Sequence, residues 1–405
     1  MSSKKGITRL DELIAFLKRV YSEMIPINSV GPDNGGPGEL EKALYLESLL
    51  RQLGFKSVKR YDSSDPRAKG GVRPNLVAKL FDDGRPVIWI VAHIDTVPPG
   101  DESLWHYKPF EVTFVDGRVY GRGAEDDGQG VALALCVAKA LLDEEPKFDL
   151  GVAFVSDEET GSKHGAQHLL KLGVFNASDW VLIPDAGSAD GSLVEVAEKS
   201  VLWFKVKVEG KQTHGSTPHK GVNANRKAMK LALLIDQFLH EKYKEEDALF
   251  EPPVSTFEPT KREPNVPNIN TVPGVDQFYF DCRLLPRHAV DEVVLDVTRL
   301  LDEFSKKEGV RCTLEVVSRE DTSKPTDPES PLVKRLTRAL EKRGVKPRIG
   351  GIGGGTVAKY FRNLNIPCVV WMTCDDTAHA PDEYAKLDNV ISDTRTLLEL
   401  FRASD

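Results

Sequence analysis

The sequence predicts an α/β protein: a mostly parallel central sheet flanked by helices, with a smaller α+β domain of ferredoxin-like type inserted into it. Three observations carry this. Short, continuously apolar runs such as VIWIVA (Val87–Ala92) alternate with helical patterns in the first half, as buried parallel strands and crossover helices do. After Glu198 the texture changes to strict alternation, as in VLWFKVKV (Val201–Val208), the pattern of a half-exposed antiparallel strand. From residue 321 the α/β texture resumes. A chain of 405 residues is long for one core. Residues 1–198 and 321–405 are expected to form the larger domain, and 199–320 the inserted one.

Leu10, Leu13, Ile14, Leu17, Val20, Tyr21 and Met24 recur at helical spacing, so an amphipathic helix opens the chain. The loop NSVGPDNGGPGE separates it from a helix at Leu40–Leu53, stopped by Gly54. Strands follow at Leu76–Phe81 and Val87–Ala92, then an Ala-rich buried helix at Val131–Leu142. A strand at Leu150–Ser156, a short helix at Ala166–Leu172 and a strand at Trp180–Ile183 complete the first part. The inserted domain reads as strand Val201–Val208, helix Asn223–His240, a Pro-rich loop Pro252–Pro267, strand Gln277–Leu284, helix Val290–Phe304 and strand Val310–Val317. Lys324–Pro331 is a linker. A helix at Pro331–Arg343, a strand at Pro367–Met372 and a helix at Tyr384–Phe401 close the chain.

Composition excludes several classes. Net charge is −8, which offers no basic footprint for nucleic acid or anionic membranes. No apolar run approaches the roughly 20 residues that span a bilayer. The start, MSSKKGITRLDEL, lacks the apolar core of a signal peptide, so a cytoplasmic protein is expected. Five scattered cysteines without CxxC spacing argue against a disulfide framework or a thiolate zinc site. Any metal would be held by His and carboxylates.

Four buried strands run straight into polar clusters. VIWIVA leads to His93 and Asp95, and GVAFVS to Asp157, Glu158 and Glu159. WVLIP leads to Asp185, and CVVWMT to Asp375, Asp376 and His379. Ligand sites of open α/β sheets lie beyond the carboxyl ends of their strands. One such cluster would be an ordinary polar loop; four built from the same residue types favour a metal site. His93 and Asp95, two apart, share a face if the strand persists, which lets the Asp95 carboxylate accept from the second nitrogen of a metal-bound His93. Adjacent Glu158 and Glu159 point in different directions, so one can bind metal while the other serves as general base.

The decamer GRGAEDDGQG (Gly121–Gly130) puts Glu125, Asp126 and Asp127 just before the buried helix. There a helix cap and a metal ligand are both reasonable. A dinucleotide loop is not, since the third glycine of that fingerprint falls on Asp126, whose carboxylate would repel a pyrophosphate.

VAHIDTVP, GRGAEDDGQG, VSDEETGS, IPDAGS and TAHAPDEY occur in the order, and at about the separations, found in a large metallopeptidase family. That family contains aminoacylases, glutamate carboxypeptidase, acetylornithine deacetylase, succinyl-diaminopimelate desuccinylase and several dipeptidases, and the likeness covers nearly the whole chain. The resemblance implies two divalent metal ions, zinc or alternatively cobalt or manganese. His93, Asp126 and Asp185 would hold one, and Asp126, Glu159 and His379 the other, with Asp126 bridging. Asp95 would orient His93, and Glu158 would be the general base. The peptide after the bridging aspartate, Asp126–Asp127, would be cis. The inserted domain would be a lid and homodimerisation domain, with His214 of GKQTHGSTPH stabilising an oxyanion. Asn270, Arg283, Gly354, Gly355 and Thr356 would contact substrate; Gly353 belongs to the same glycine run, which lacks the ending of a phosphate loop. Where many members carry Lys shortly after the bridging Asp, this chain reads DDGQG. The implied activity is hydrolysis of an amide bond in a small peptide or N-acyl amino acid, carboxypeptidase- or dipeptidase-like. The alternatives are a specific deacylase, such as a succinyl-diaminopimelate desuccinylase or acetylornithine deacetylase, and an inactive ligand-binding homologue.

Overall fold

The computed structural model describes residues 2–402, the first eight of them (2–9) by backbone only. The chain divides into two compact units. The first comprises residues 1–196, 326–349 and 356–405, and the second 197–325 and 350–355. Among the described residues no helix is long and apolar enough to cross a membrane.

The first unit is built on a sheet of eight strands. Their order is Ser57–Ser64, Val72–Lys79, Asp149–Val155, Val87–His93, Trp180–Ile183, Cys368–Val370, Leu193–Glu198 and Arg348–Ile352. The four central strands, Asp149–Val155 to Cys368–Val370, are mutually parallel. They are the apolar runs read from the sequence, buried on both faces as parallel strands are. The expected mostly parallel sheet is therefore realised at its centre, and antiparallel strands join it on both sides. The helix Gly128–Leu141 is buried along almost its whole length, which explains its Ala-rich composition: small side chains let it lie close to its neighbours. Trp89, on the strand Val87–His93, satisfies its buried indole N–H on Asp179 at 2.9 Å.

The second unit runs strand, helix, strand, strand, helix, strand. An antiparallel sheet orders Thr256–Arg262, Val275–Leu284, Ser200–Glu209 and Arg311–Glu320. The helices Ala224–Lys242 and Val290–Glu308 bury Leu231, Ile235, Val293 and Val297 against Phe204, Phe278 and Phe280 of that sheet. This is the βαββαβ order of a ferredoxin-like sandwich.

Several elements differ from expectation. The Pro-rich stretch Pro252–Pro267 holds the strand Thr256–Arg262, with a register shift at Pro259. As an edge strand it can carry a proline and a row of exposed charges, and so shows no alternation. Tyr384–Lys386 is a strand of a small three-stranded sheet with Arg118–Tyr120 and Thr113–Val115, so the last helix begins at Leu387. Ser57–Ser64, Leu193–Glu198 and Arg348–Ile352 were not anticipated as strands either.

Candidate metal centre

The four central strands each deliver one part of a single cluster. His93 ends its strand, Glu158 and Glu159 open a short turn after Val155, Asp185 follows Ile183, and His379 lies in the loop beyond Val370. Among the described residues, two groups can each hold a cation: His93, Asp126 and Asp185, and Asp126, Glu159 and His379. Asp126 is common to both. Its Oδ1 accepts from His93 Nε2 at 2.7 Å and its Oδ2 lies 2.9 Å from His379 Nε2. Asp185 Oδ1 is 3.7 Å from His93 Nε2, and Glu159 Oε1 is 3.1 Å from His379 Nε2. The two oxygens of one carboxylate therefore face two different donor sets.

The three consecutive acids of the decamer have three separate tasks. Glu125 receives the backbone N–H groups of Asp375 and Thr377 and the Thr377 hydroxyl, tying the helix start to the His379 loop. Asp126 faces the imidazoles. Asp127 caps the helix, taking the Gly130 N–H at 2.9 Å on one oxygen and the His93 N–H at 3.0 Å on the other. The cap reading is realised on Asp127, and the neighbouring Asp126 is the acid turned toward the imidazoles. The Asp126–Asp127 peptide is cis, as the resemblance implied. Gly123 adopts φ +76, and a Cβ at Gly128 would sit 2.2 Å from the Gly123 carbonyl oxygen, so the tight return of the chain requires both glycines.

Asp95 has partners beyond the His93 ring. The nearer partner of His93 Nδ1 is the Asp95 backbone carbonyl at 3.1 Å; the carboxylate is 3.4 Å away. The same carboxylate also receives the N–H groups of Glu158 and Glu159, at 3.0 and 3.1 Å. It fixes the turn from which those two side chains project, because the strand ends at His93 and Asp95 already lies beyond the pleat.

Electrostatics follow from this crowding. Burial works against a charge on His93, yet its bonds to Asp126, Asp185 and Asp95 hold its pKa well above the imidazole range. His379, bonded to Asp126 and Glu159, rises to about 10. Burial opposes ionisation of Asp126 too, but the two imidazoles hold its carboxyl well below the usual range. Burial, then the charge of Asp185, pushes Glu158 well above it. An imidazole and two carboxylates per set suit a divalent ion of intermediate hardness, and such an ion would displace the imidazole protons.

Sequence reasoning missed the supports of the His379 loop. Glu383 takes the N–H groups of Glu125 and Asp126 on one oxygen, at 3.0 Å each, and the Arg122 guanidinium on the other. The only signals were the DEY ending of TAHAPDEY and the Arg of GRG, neither distinctive alone.

The remaining candidates belong to the second unit, except Thr356. His214 is exposed, its Nδ1 2.7 Å from the Ser216 hydroxyl. It is brought beside Asn270, whose carbonyl accepts the Gly215 N–H. Arg283 is held by both oxygens of Asp281, at 2.7 and 3.0 Å, and donates to the Gly353 carbonyl at 3.2 Å. A Cβ added at Gly354 would meet no atom within 4 Å beyond its chain neighbours. Gly355 follows it in the same unit. Thr356, in the first unit, is buried and its hydroxyl accepts the Ala358 N–H at the start of a short helix.

Comparison with known proteins accords with this geometry. The family model for peptidase family M20/M25/M40 matches residues 89–403. An uncharacterised metallohydrolase of Methanococcus maripaludis is 36% identical, over 97% of this chain and 99% of the relative. A succinyl-diaminopimelate desuccinylase of Rickettsia bellii is 26% identical, over 93% of each chain. The crystal structure of human carnosine dipeptidase 1 aligns with a TM-score of 0.74 over 98% of both chains, at 20% identity, a likeness of fold. The chain belongs to the M20/M25/M40 peptidase family and is one of its metallohydrolases.

Proposed function

We propose that the protein is a two-metal hydrolase cleaving the amide bond of a small peptide or N-acyl amino acid, in the manner of a carboxypeptidase or dipeptidase. The observation that supports this most is the Asp126 carboxylate, whose two oxygens face separate imidazole–carboxylate sets. His93, Asp126 and Asp185 would hold one ion, and Asp126, Glu159 and His379 the other; zinc, cobalt and manganese all suit these donors. When bound, such ions lower the pKa of water and stabilise developing negative charge.

The chain's own groups supply the proton traffic. Glu158 is assigned the general base: Asp95 fixes its backbone, and burial beside Asp185 favours its protonated form, as suits a group that takes a proton from water and returns it to the leaving amine. His214 is assigned a hydrogen bond to the oxygen that becomes anionic. Asn270, Arg283, Gly354, Gly355 and Thr356 are assigned substrate contacts, and the second unit the role of lid and homodimer contact. Similarity to a desuccinylase supports a second reading, a specific N-acyl amino acid deacylase.

The test is a panel of dipeptides, N-acetyl and N-succinyl amino acids assayed with and without chelator, alongside Glu158→Ala. The variant should lose roughly 10²–10⁴-fold in turnover while keeping its metal. Normal turnover by the variant would remove Glu158 from the role. A metal-replete wild type inert on the whole panel would favour a ligand-binding protein.

A further inference from the structure

The two ligand sets are held differently, and one buried cation accounts for much of the difference. Arg122 is almost fully buried. One arm of its guanidinium donates to Glu383 Oε2 at 2.5 Å, and the other to the backbone carbonyl of His379 at 3.1 Å. The opposite oxygen of Glu383 receives the N–H groups of Glu125 and Asp126. A single guanidinium therefore links the backbone under Asp126 to the backbone under His379. His379 has more need of such a link than His93: it sits outside any strand, at φ +63, with its side chain 54% exposed against 2% for His93.

The guanidinium is itself braced. Trp105 lies against it, ring centroid 5.1 Å from the guanidinium carbon, with the indole N–H on the Pro99 carbonyl at 3.0 Å. The Arg122 N–H donates to the Pro109 carbonyl at 2.7 Å. The same segment is fastened to the His379 loop a second time, where Asp382 receives the N–H groups of His106 and Tyr107. Residues 99–109 thus form a strap clasping Arg122 from one side while Glu383 and His379 hold it from the other.

We propose that Arg122, braced by Trp105, is a positioning residue that sets the position of His379 relative to Asp126 and so governs occupancy of the Asp126–Glu159–His379 set. The His93–Asp126–Asp185 set depends on it less, because His93 and Asp185 project from strand ends of the central sheet. The proposal rests on the two-metal reading above.

The test replaces the fork by a point charge. Arg122→Lys can still neutralise Glu383 but cannot span both acceptors. Metal content would be measured by elemental analysis of zinc-loaded protein after dialysis against graded chelator, with thermal melting of the metal-free protein alongside. The expected result is one ion retained at wild-type tightness and the other bound about 10–100-fold more weakly, the usual scale for groups supporting metal ligands. Trp105→Leu should shift the same ion by a smaller factor. If Arg122→Lys fails to fold, Arg122→Met combined with Glu383→Gln leaves no buried charge unpaired and should give the same selective loss. Retention of both ions at wild-type tightness, or their loss in parallel, would overturn the role of Arg122. A wild-type protein that holds a single ion would instead overturn the two-metal reading.

Discussion

The two candidate donor sets share Asp126 and differ in almost everything else. One draws on His93 and Asp185, which continue buried strands of the central sheet. The other draws on Glu159 and His379, carried by a turn and a loop. Position in the first set comes from the main-chain ladder of four parallel strands. In the second it comes from side chains that bond backbone: Asp95 under Glu158 and Glu159, Glu125 under Asp375 and Thr377, Arg122 under His379. A sheet can hold side chains where its strands end, but a donor set beyond those ends has to be reached by loops, and buried charge takes over from the ladder as the fixing agent.

The largest effect should come from the residue common to both sets. Asp126→Ala should leave neither ion bound and no turnover, as read by metal analysis after gel filtration. One ion kept at full tightness would mean that the carboxylate is not shared.

Replacing the two histidines separately tests the difference directly. His379→Ala and His93→Ala should each release one ion, but only His93→Ala should strongly destabilise the metal-free protein. His93 is enclosed among acids, and removing one partner from a buried ionic group costs about 3–5 kcal/mol. The half-exposed His379 should cost about 1 kcal/mol or less. Equal losses in denaturant unfolding would erase the distinction between strand-borne and loop-borne ligands.

An effect that should leave the metal content untouched concerns a charge near the supports of both sets. Lys42 is buried, and burial lowers its pKa to about 8 although Asp95, Glu39, Glu383 and Asp127 counter that shift. Its folded pKa lies below the 10.5 of an unfolded lysine, so the stability linked to it is fully present above that value and lost as pH falls through about 8. Unfolding free energies should rise by up to about 3 kcal/mol between those limits in the wild type, and Lys42→Met should flatten that rise. Metal stoichiometry should stay the same. Superimposable pH profiles for the two proteins would show that Lys42 is not the group responsible.

Much of this site could be read in the sequence because its parts lie where a sequence is most explicit. A strand buried on both faces is a continuous apolar run, and the first polar residue after it marks the strand's carboxyl end. His93, Glu159 and Asp185 were visible in that way. The edge strands Ser57–Ser64 and Thr256–Arg262 were not, because strands half covered or exposed carry charges and even proline. Nor could the decamer assign its acids. Glu125, Asp126 and Asp127 are equivalent as text, and their tasks diverge only once the backbone between Gly123 and Gly128 turns back on itself.

The sequence by itself determined the class of fold, the family and the residue types available to a metal, since these depend on local apolar patterning and on motifs in order. The tertiary structure decided which oxygen faces which imidazole, that Asp95 holds a turn as well as a ring, and that Arg122 and Glu383 stand behind His379. Those are contacts between residues up to 261 positions apart, as for Arg122 and Glu383. Local patterning carries no information about them, because a buried charge is satisfied by whatever the fold brings within hydrogen-bonding distance.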